Sequence, residues 1–147
     1  MKKKLVVFSG AGISAESGVK TFRDSNGLWE NHRIEDVASF EGFQKNPHMV
    51  LDFYNARRKQ LLEVKPNAAH LILAELEAFF DVEIITQNVD DLHERAGSSK
   101  VTHLHGELLK VRPLNSETEI FHWEKDLNVG DCDANGVQLR PHIVWFG

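Results

Sequence analysis

The 147-residue sequence contains a single cysteine, Cys132, and only four prolines. One cysteine cannot build a disulfide framework within the chain, and it cannot supply a four-cysteine zinc site. No apolar run approaches the roughly 20 residues that a membrane-spanning helix needs. The basic residues 2–4 precede a short apolar run that is too brief for a signal peptide. We therefore expect a cytoplasmic protein that does not act at a membrane.

The sequence also lacks an excess of positive charge. Lysine and arginine number 17 against 22 acidic residues, which gives a formal net charge of -5. Broad electrostatic binding to nucleic acid or to an anionic membrane is therefore not expected. Hydrophobic residues make up 41% of the chain and charged residues 27%, the usual balance of a globular domain. We expect one domain.

Segments typical of strands and helices alternate along the chain. Residues 5–8 (LVVF) form a continuous apolar run, which predicts a strand buried on both faces of a parallel sheet. Further strands are predicted at residues 82–86 and 101–105, and a strand-like run lies at residues 142–147. This alternation predicts an α/β fold with a mainly parallel sheet. Residues 19–45 are predicted to form a long loop with short helical pieces.

The helices are marked by capping residues and by apolar spacing. Asn46 and Pro47 are typical of an N-cap and a first helical position, so a helix is predicted to follow them. A short helix is predicted to close at Gly97. The buried face of the first helix is predicted to include Met49, Val50, Phe53, Ala56 and Gln60. A second helix over residues 68–80 is predicted to have the apolar stripe Ala69, Ile72, Leu76 and Phe79.

Residues 6–18 (VVFSGAGISAESG) carry a glycine-rich turn after the first strand. The spacing G-x-G-x-x-A over Gly10, Gly12 and Ala15 fits the fingerprint of a dinucleotide-binding loop. Gly10 can take positive φ, and Gly12 would let a pyrophosphate approach the backbone. The alternative is a tight turn without a ligand. A dehydrogenase would next show a strand ending in a ribose-binding acid, but a polar loop follows here, so another NAD chemistry is favoured.

Two polar clusters follow the later strands. Gln87, Asn88 and Asp90 stand where a parallel strand delivers its carboxyl end, and their side chains can bind a carboxamide and ribose hydroxyls. The alternative is that Asn88 or Asp90 only caps the next helix. On the third strand, His103 and His105 are predicted to share one face, and His105 is the candidate general base. A histidine metal pair is less favoured because no acid or cysteine lies at a familiar spacing.

Four blocks together resemble the sirtuin family of NAD-dependent protein lysine deacylases: GAGISAESGVKTFRDSNGLW, TQNVDDLH, HLHGELLK and LRPHIVWFG. They have the order and separation found in sirtuins, and the resemblance covers nearly the whole chain. It implies a Rossmann-like domain with NAD and an acyl-lysine protein or peptide in a cleft. It also implies that NAD is consumed, with nicotinamide and O-acyl-ADP-ribose as products.

The resemblance assigns roles to individual residues. It implies that His105 is the general base, with Asn88 as a second catalytic residue, and that Phe22 shields the reacting ribose carbon. It places Val144, Trp145 and Phe146 against the acyl-lysine. The residues that it implies for NAD binding are Gly10, Ala11, Gly12, Ser14, Ser17, Thr21, Phe22, Arg23, Trp29, Gln87, Asn88, Asp90 and His105.

Tyr54 and Arg57 stand at i and i+3 on the predicted first helix. They resemble the Tyr-x-x-Arg signature of sirtuins that prefer succinyl, malonyl and glutaryl groups. A guanidinium can pair with a distal carboxylate, and a phenol can add a hydrogen bond. The alternative is an amphipathic helix with solvated arginines. Arg58, one residue off that face, is expected to be solvated.

Two departures from the sirtuin pattern are visible. Many sirtuins bind zinc through two cysteine pairs in the stretch that corresponds to residues 113–139, but this stretch has only Cys132, so no zinc is expected. A small zinc-free module held by Phe121, Trp123 and Leu127 is predicted instead. The sequence also stops at Gly147, where sirtuins continue, so residues 1–147 are expected to be the N-terminal part of a catalytic domain. An exposed sheet edge and an incomplete cofactor site are then expected.

Two other functions remain open from the sequence. The same NAD site is compatible with ADP-ribosyl transfer or with simple hydrolysis of NAD. A chain of this length is also compatible with a non-catalytic remnant that binds NAD or an acylated peptide.

Overall fold

The computed structural model describes residues 1–20 and 28–147. The strands are β1 (Lys3–Ser9), β2 (Leu28–Trp29), β3 (His32–Arg33), β4 (Phe80–Thr86), β5 (Val101–His103), β6 (Gly106–Pro113), β7 (Phe121–His122) and β8 (Leu139–Ile143). The helices are α1 (Gly12–Ala15), α2 (Ile34–Val37), α3 (Phe40–Lys45), α4 (Pro47–Glu63), α5 (Ala68–Glu75) and α6 (Leu92–Arg95), with a 3₁₀ turn at Leu76–Ala78. None of the helices within the described ranges is long and apolar enough to cross a membrane.

The predicted parallel sheet is confirmed. It contains three strands in the order β1-β4-β5, with β4 in the centre. The register pairs Ser9 with Thr86 and Thr86 with His103, so the carboxyl ends of all three strands lie side by side. Three polar residues therefore stand at the edge of the sheet where α/β folds bind ligands.

The expectation that β1 is buried on both faces is wrong. Val82 and Ile84 of β4 are buried, but Val6 is 52% exposed and Phe8 is 62% exposed. The predicted apolar stripe of the second helix fails in the same way, because Ile72 is 54% exposed. An apolar run shows that a strand or helix has side chains suited to burial, but it does not show that another element packs on them. Within the described residues, no helix or strand covers these side chains.

An antiparallel sheet that the sequence pattern does not predict stands beside the parallel one. Its order is β7-β6-β8, and a separate hairpin joins β2 to β3. β6 begins at Gly106 and follows β5 after a two-residue turn, so residues 104 and 105 lie outside any strand. The strand-like run at residues 142–147 is only partly strand, since β8 ends at Ile143.

Helix α4 begins as predicted, with the Asn46 side chain accepting from the Met49 N–H at 3.1 Å and Pro47 in the first turn. Its buried face differs from the predicted one, because Ala56 is exposed. The side chains that α4 buries are Val50, Leu51, Phe53, Tyr54, Asn55, Arg58 and Leu61. They pack against Leu108, Leu109, Val111 and Leu127 in the main core.

Arg58 is buried, and the expectation that it is solvated is therefore wrong. Its side chain is only 1% exposed, and burial lowers its pKa to about 10, which leaves it charged at neutral pH. The guanidinium donates to the Asn55 Oδ1 at 2.8 Å, to the Leu108 carbonyl at 3.3 Å and to the Lys125 carbonyl at 3.4 Å. A buried charge is tolerated only when such acceptors surround it.

The segment between β6 and β8 is fastened to α4 by the same group of polar contacts. Asn55 holds Leu127 from both sides, because its Nδ2 donates to the Leu127 carbonyl at 3.0 Å and its Oδ1 accepts from the Leu127 N–H at 2.8 Å. Leu127 is fully buried and Trp123 packs against the core, as predicted. Phe121 is 45% exposed, so its predicted part in holding the segment is wrong.

Replacing Arg58 by Met tests this anchor. We expect Arg58→Met to lower the free energy of unfolding by about 2–4 kcal/mol, because it strips the charged donor from three acceptors on three segments. Urea unfolding measures the change. The exposed neighbour in Lys59→Met is the control and should stay within about 0.5 kcal/mol of the wild type. Equal, small effects in both variants would contradict an anchoring role.

Candidate active site

A cavity of about 270 Å³ opens at the carboxyl edge of the parallel sheet. It brings together residues from all four of the sequence blocks. From the glycine turn and the later clusters it is lined by Ala11, Ser14, Gln87, Asn88, Asp90 and His105. From the predicted acyl-lysine site it is lined by Tyr54, Arg57, Val144, Trp145 and Phe146, and Trp29 also borders it.

Some predicted cofactor residues lie elsewhere or outside the described residues. Thr21, Phe22 and Arg23 fall outside the described ranges. Ser17 does not line the cavity, and its hydroxyl accepts from the Asn67 side chain at 3.0 Å.

Gly10 and Gly12 leave open space above the turn. Neither glycine has a positive φ, so the expectation for Gly10 is not met. A Cβ atom built on either glycine would meet no other atom of the chain within 4 Å. Packing within the chain therefore does not require glycine at either position. Open space over a backbone turn is what the approach of a pyrophosphate needs, and so the turn fits NAD.

Residues 86–89 are hydrogen-bonded to residues 103–108, and each of their four successive carbonyls accepts one bond. The Thr86 carbonyl accepts from the Leu104 N–H at 2.9 Å, and the Val89 carbonyl accepts from the Leu108 N–H at 2.8 Å. Between them, the two histidine rings bind the carbonyls of residues 87 and 88. The loop after β4 and the turn after β5 are thus one hydrogen-bonded unit.

His105 lies in the turn after β5, not on the strand, so the prediction that it shares a strand face with His103 is wrong. Its Nδ1 is 3.2 Å from the Gln87 carbonyl oxygen. A carbonyl oxygen can only accept, so Nδ1 carries the proton in this contact. The neutral ring then has Nε2 as its acceptor nitrogen, which is the form that a general base requires.

Asn88 is held at three points and is only 7% exposed. Its N–H donates to the Thr86 hydroxyl at 3.0 Å, and its side-chain Nδ2 donates to the Gly10 carbonyl at 3.0 Å. Its own carbonyl accepts from the Nδ1 of His103 at 2.7 Å. The amide of Asn88 is thereby fixed against the glycine turn.

Asp90 makes two hydrogen bonds within the chain, one of them to the start of α6. Its Oδ1 accepts from the Leu92 N–H, the first N–H of α6, at 3.1 Å, although the N-cap residue of this helix is Asp91. Its Oδ2 accepts from the Ser14 hydroxyl at 2.8 Å. The second bond joins the loop before α6 to α1, and both residues line the cavity. Asp90 is 5% exposed and Ser14 is 1% exposed, so this bond is shielded from water.

Two buried histidines contact residues next to the glycine turn, because His93 contacts Ser9 and His70 contacts Ser14. The rings of His70 and His93 lie 5.0 Å apart at 70°. His93 contacts the Ser9 hydroxyl at 2.9 Å, and His70 accepts from the Asn67 N–H at 3.1 Å. Burial lowers the pKa of both rings, which keeps them neutral in the folded protein at neutral pH.

At the other end of the cavity, Tyr54 is almost fully buried, and its oxygen accepts from the Trp145 Nε1 at 3.0 Å. Burial raises the pKa of Tyr54, so the phenol keeps its proton and can still donate a hydrogen bond. Arg57 is 13% exposed. Its guanidinium contacts the Glu30 carboxylate at 3.0 Å and donates to the side-chain Oε1 of Gln60 at 2.8 Å.

Backbone bonds attach the residues after β8 to this cavity. The Val144 N–H donates to the His105 carbonyl at 2.9 Å, and the Phe146 N–H donates to the Ala38 carbonyl at 2.8 Å. The Arg140 guanidinium lies 3.6 Å from the centre of the Trp145 ring, which orients the indole.

Sequence reasoning missed two groups of charged side chains. Glu30 pairs with Arg57, and Glu94 and Glu107 surround His103, although no acid stands at a familiar ligand spacing. The distances depend on how α6 and β6 fold back toward β5, which spacing along the chain does not contain. Among the described residues, Glu94, His103 and Glu107 also form the group whose geometry suits a metal ion.

A parallel sheet with an open glycine turn, amides and a histidine at its carboxyl edge defines an α/β domain of the dinucleotide-binding class. Residues 10–147 match the Sir2 family, and the chain therefore belongs to that family. The resemblance to sirtuins is confirmed.

Relatives and solved structures agree with this assignment. A protein of Helicobacter pylori (strain J99) named NAD-dependent protein deacylase is 66% identical over 145 residues, a match that covers 99% of this chain and 62% of that protein. A Bacteroides thetaiotaomicron protein of the same name is 58% identical and is covered to 64%. The crystal structure of a Sir2 homolog–NAD complex matches 99% of this chain and 57% of that chain, with TM-score 0.84 and 43% identity. The chain thus spans about three fifths of these relatives.

The buried histidines predict how stability depends on pH. Unfolded histidine takes up a proton near pH 6.5, whereas the lowered pKa values of His70 and His93 keep them neutral when folded. The unfolded state therefore binds more protons below pH 6.5, and the free energy of unfolding should fall as the pH drops toward 5. Each histidine contributes at most about 1.4 kcal/mol per pH unit.

Urea unfolding at pH 5.0–7.5 measures this dependence. His93→Gln should flatten the slope below pH 6.5, while His48→Gln, on an exposed side chain, should leave it unchanged. An identical slope in all three proteins would show that the buried rings are not its origin.

Proposed function

We propose that the protein is an NAD-dependent protein lysine deacylase that transfers the acyl group to ADP-ribose and releases nicotinamide. The observation that carries the proposal is that His105, Asn88 and Ala11, the residue between the two open glycines, line one cavity. The relatives of the same family that are named NAD-dependent protein deacylase support it.

NAD would lie over the glycine turn, against Gly10, Ala11, Gly12 and Ser14, with its nicotinamide ribose toward Gln87, Asn88 and Asp90. When bound, it supplies a ribose carbon that becomes electrophilic as nicotinamide leaves. The protein positions the reactants and excludes water, and it needs no strong nucleophile of its own. Asn88 suits this role because its backbone and side chain are both fixed.

His105 would take a proton from the ribose hydroxyl at its Nε2. The bond from Nδ1 to the Gln87 carbonyl sets the tautomer, and exposure of the ring to the cavity gives a substrate access to Nε2. The substrate lysine would enter between Val144 and Phe146, because that segment is bound to the carbonyl of His105 itself.

Replacing His105 tests the reaction. We expect His105→Ala to abolish release of free lysine from an acyl-lysine peptide while NAD and the peptide still bind. Mass analysis of the products of the wild-type protein should show O-acyl-ADP-ribose. ADP-ribose alone, or ADP-ribose attached to the peptide, would identify an NAD hydrolase or an ADP-ribosyltransferase instead. Binding without any product would indicate a non-catalytic remnant.

We propose further that the acyl group is acidic, such as succinyl or malonyl. Arg57 borders the cavity as a guanidinium, and the Tyr54 hydroxyl beside it can donate. The Arg57 guanidinium already pairs with the carboxylate of Glu30, which shows that a carboxylate fits beside it. The carboxylate of an acidic acyl group could bind to the same guanidinium.

Arg57→Met should lower kcat/KM for a succinyl-lysine peptide at least about 30-fold, since a charge-assisted pair contributes about 2 kcal/mol. The kcat/KM for the matching acetyl-lysine peptide should change less than about threefold. Arg33→Met, on an exposed arginine, is the control and should change neither value. An equal loss on both peptides would rule out recognition of the acyl carboxylate by Arg57.

We also propose that residues 113–139 form a small module that holds its shape without zinc, in a cytoplasmic protein. The contacts of Asn55 and Arg58 with this segment support the proposal, because they supply the fastening that a metal site would otherwise give. Metal analysis of the purified protein tests it, and one equivalent of zinc would contradict it.

A further inference from the structure

His103 is held at both ring nitrogens, and its side chain is only 6% exposed. Its Nδ1 lies 2.7 Å from the Asn88 carbonyl oxygen, and its Nε2 lies 2.9 Å from the Glu94 Oε2. Carbonyl and carboxylate oxygens only accept, so both nitrogens must donate to make these bonds. A ring that donates from both nitrogens is an imidazolium.

The charges that face His103 come from two elements. Helix α6 presents Glu94 and the buried His93 ring, and β6 presents Glu107, whose Oε1 is 3.8 Å from Nε2. Lys110 binds the other oxygen of Glu107 at 2.7 Å. Burial disfavours the charged ring, but the two carboxylates and the Asn88 carbonyl outweigh it and raise the pKa of His103.

We infer that His103 is a positioning residue, a charged clamp that holds the backbone of Asn88 so that its amide meets the glycine turn. The inference rests on the proposed function only for the consequence in catalysis. The clamp itself is a bond between a ring on β5 and a loop carbonyl after β4. Glu94 completes it by keeping the ring protonated, and a neutral ring would lose either the loop bond or the carboxylate bond.

A divalent cation could compete for the same side chains. The ligand atoms of Glu94, His103 and Glu107 all lie within 4.8 Å of one another. A metal would need Nε2 without its proton, and Lys110 already neutralises Glu107. The close contact of Nε2 with Glu94, and the cation beside Glu107, favour the proton.

Nitrogen-15 NMR of the histidine rings tests the clamp without any measurement of activity. At pH 7 both nitrogens of His103 should carry protons, and deprotonation should occur at higher pH than in Glu94→Gln. The carbonyl carbon of Asn88 should shift with the same midpoint as the ring. The inference would be overturned if Nε2 carried no proton at pH 7. It would also be overturned if the chemical shift of the Asn88 carbonyl carbon did not change as the ring titrates. Stoichiometric Zn²⁺ that displaces the Nε2 proton at micromolar concentration would overturn it too.

Kinetics then test the consequence. His103→Gln should lower kcat for nicotinamide release about tenfold or more while the KM for the peptide changes less than about threefold. Glu94→Gln should lower kcat less, and the double variant should be no worse than His103→Gln alone, because the two residues act as a unit. His122→Gln removes an exposed histidine that also lies near a carboxylate, and it should change nothing.

The pH profile separates a clamp from a merely structural residue. In the wild-type protein, kcat should fall at alkaline pH with the midpoint that NMR gives for His103, and Glu94→Gln should move both midpoints down together. Additive losses, or a profile that does not move, would contradict the role in catalysis. If no protein variant turns over NAD, the proposed deacylase function fails, while the NMR result still decides whether the clamp exists.

Discussion

The site depends on one set of hydrogen bonds, the docking of residues 86–89 onto residues 103–108. Four consecutive carbonyls accept there, two from backbone N–H groups and two from imidazole rings. A loop after a strand usually has its carbonyls in water, and binding all four removes most of its freedom. Because the strands of the sheet end in register, the docked loop is set directly beside the glycine turn. These bonds connect two of the loops that line the cavity.

The two histidines of this unit share their first partner, a loop carbonyl, but differ in their second partner and in exposure. Each donates from Nδ1 to a loop carbonyl, at residue 87 or residue 88. His105 lines the cavity, where the Nε2 of a neutral ring can accept a proton. His103 turns its Nε2 toward Glu94, which converts the same residue type into a charged structural donor. The same backbone contact therefore occurs in two chemical settings, and the neighbouring carboxylates distinguish them.

The sequence predicts the features that depend on local chemistry, and it fails where a distant segment decides. The cap at Asn46 and the end of α6 just before Gly97, which has a positive φ, follow from residue type and are confirmed. Arg58 was expected in water because an arginine on a helix usually is, yet acceptors from β6 and from residue 125 make its burial possible. Val6 shows the opposite error. Its apolar, β-branched side chain is typical of a buried strand, but no described helix or strand covers it. The roles of Glu94 and Glu107 were invisible because they arise only when two elements meet His103.

A chain of hydrogen bonds connects the His105 end of the cavity to the Tyr54 end, and it limits where a substrate can bind. The carbonyl of His105 binds the N–H of Val144, and the next residue, Trp145, donates to the hydroxyl of Tyr54. A displacement of the turn that carries the histidine would therefore shift the indole, and with it the phenol beside Arg57. Packed aromatic rings and short hydrogen bonds resist such displacement, so the distance between the ends is fixed by the protein. Under the proposed function, recognition at the arginine end and proton transfer at the histidine end would depend on this one span, and a substrate would gain from both only if its length matched it.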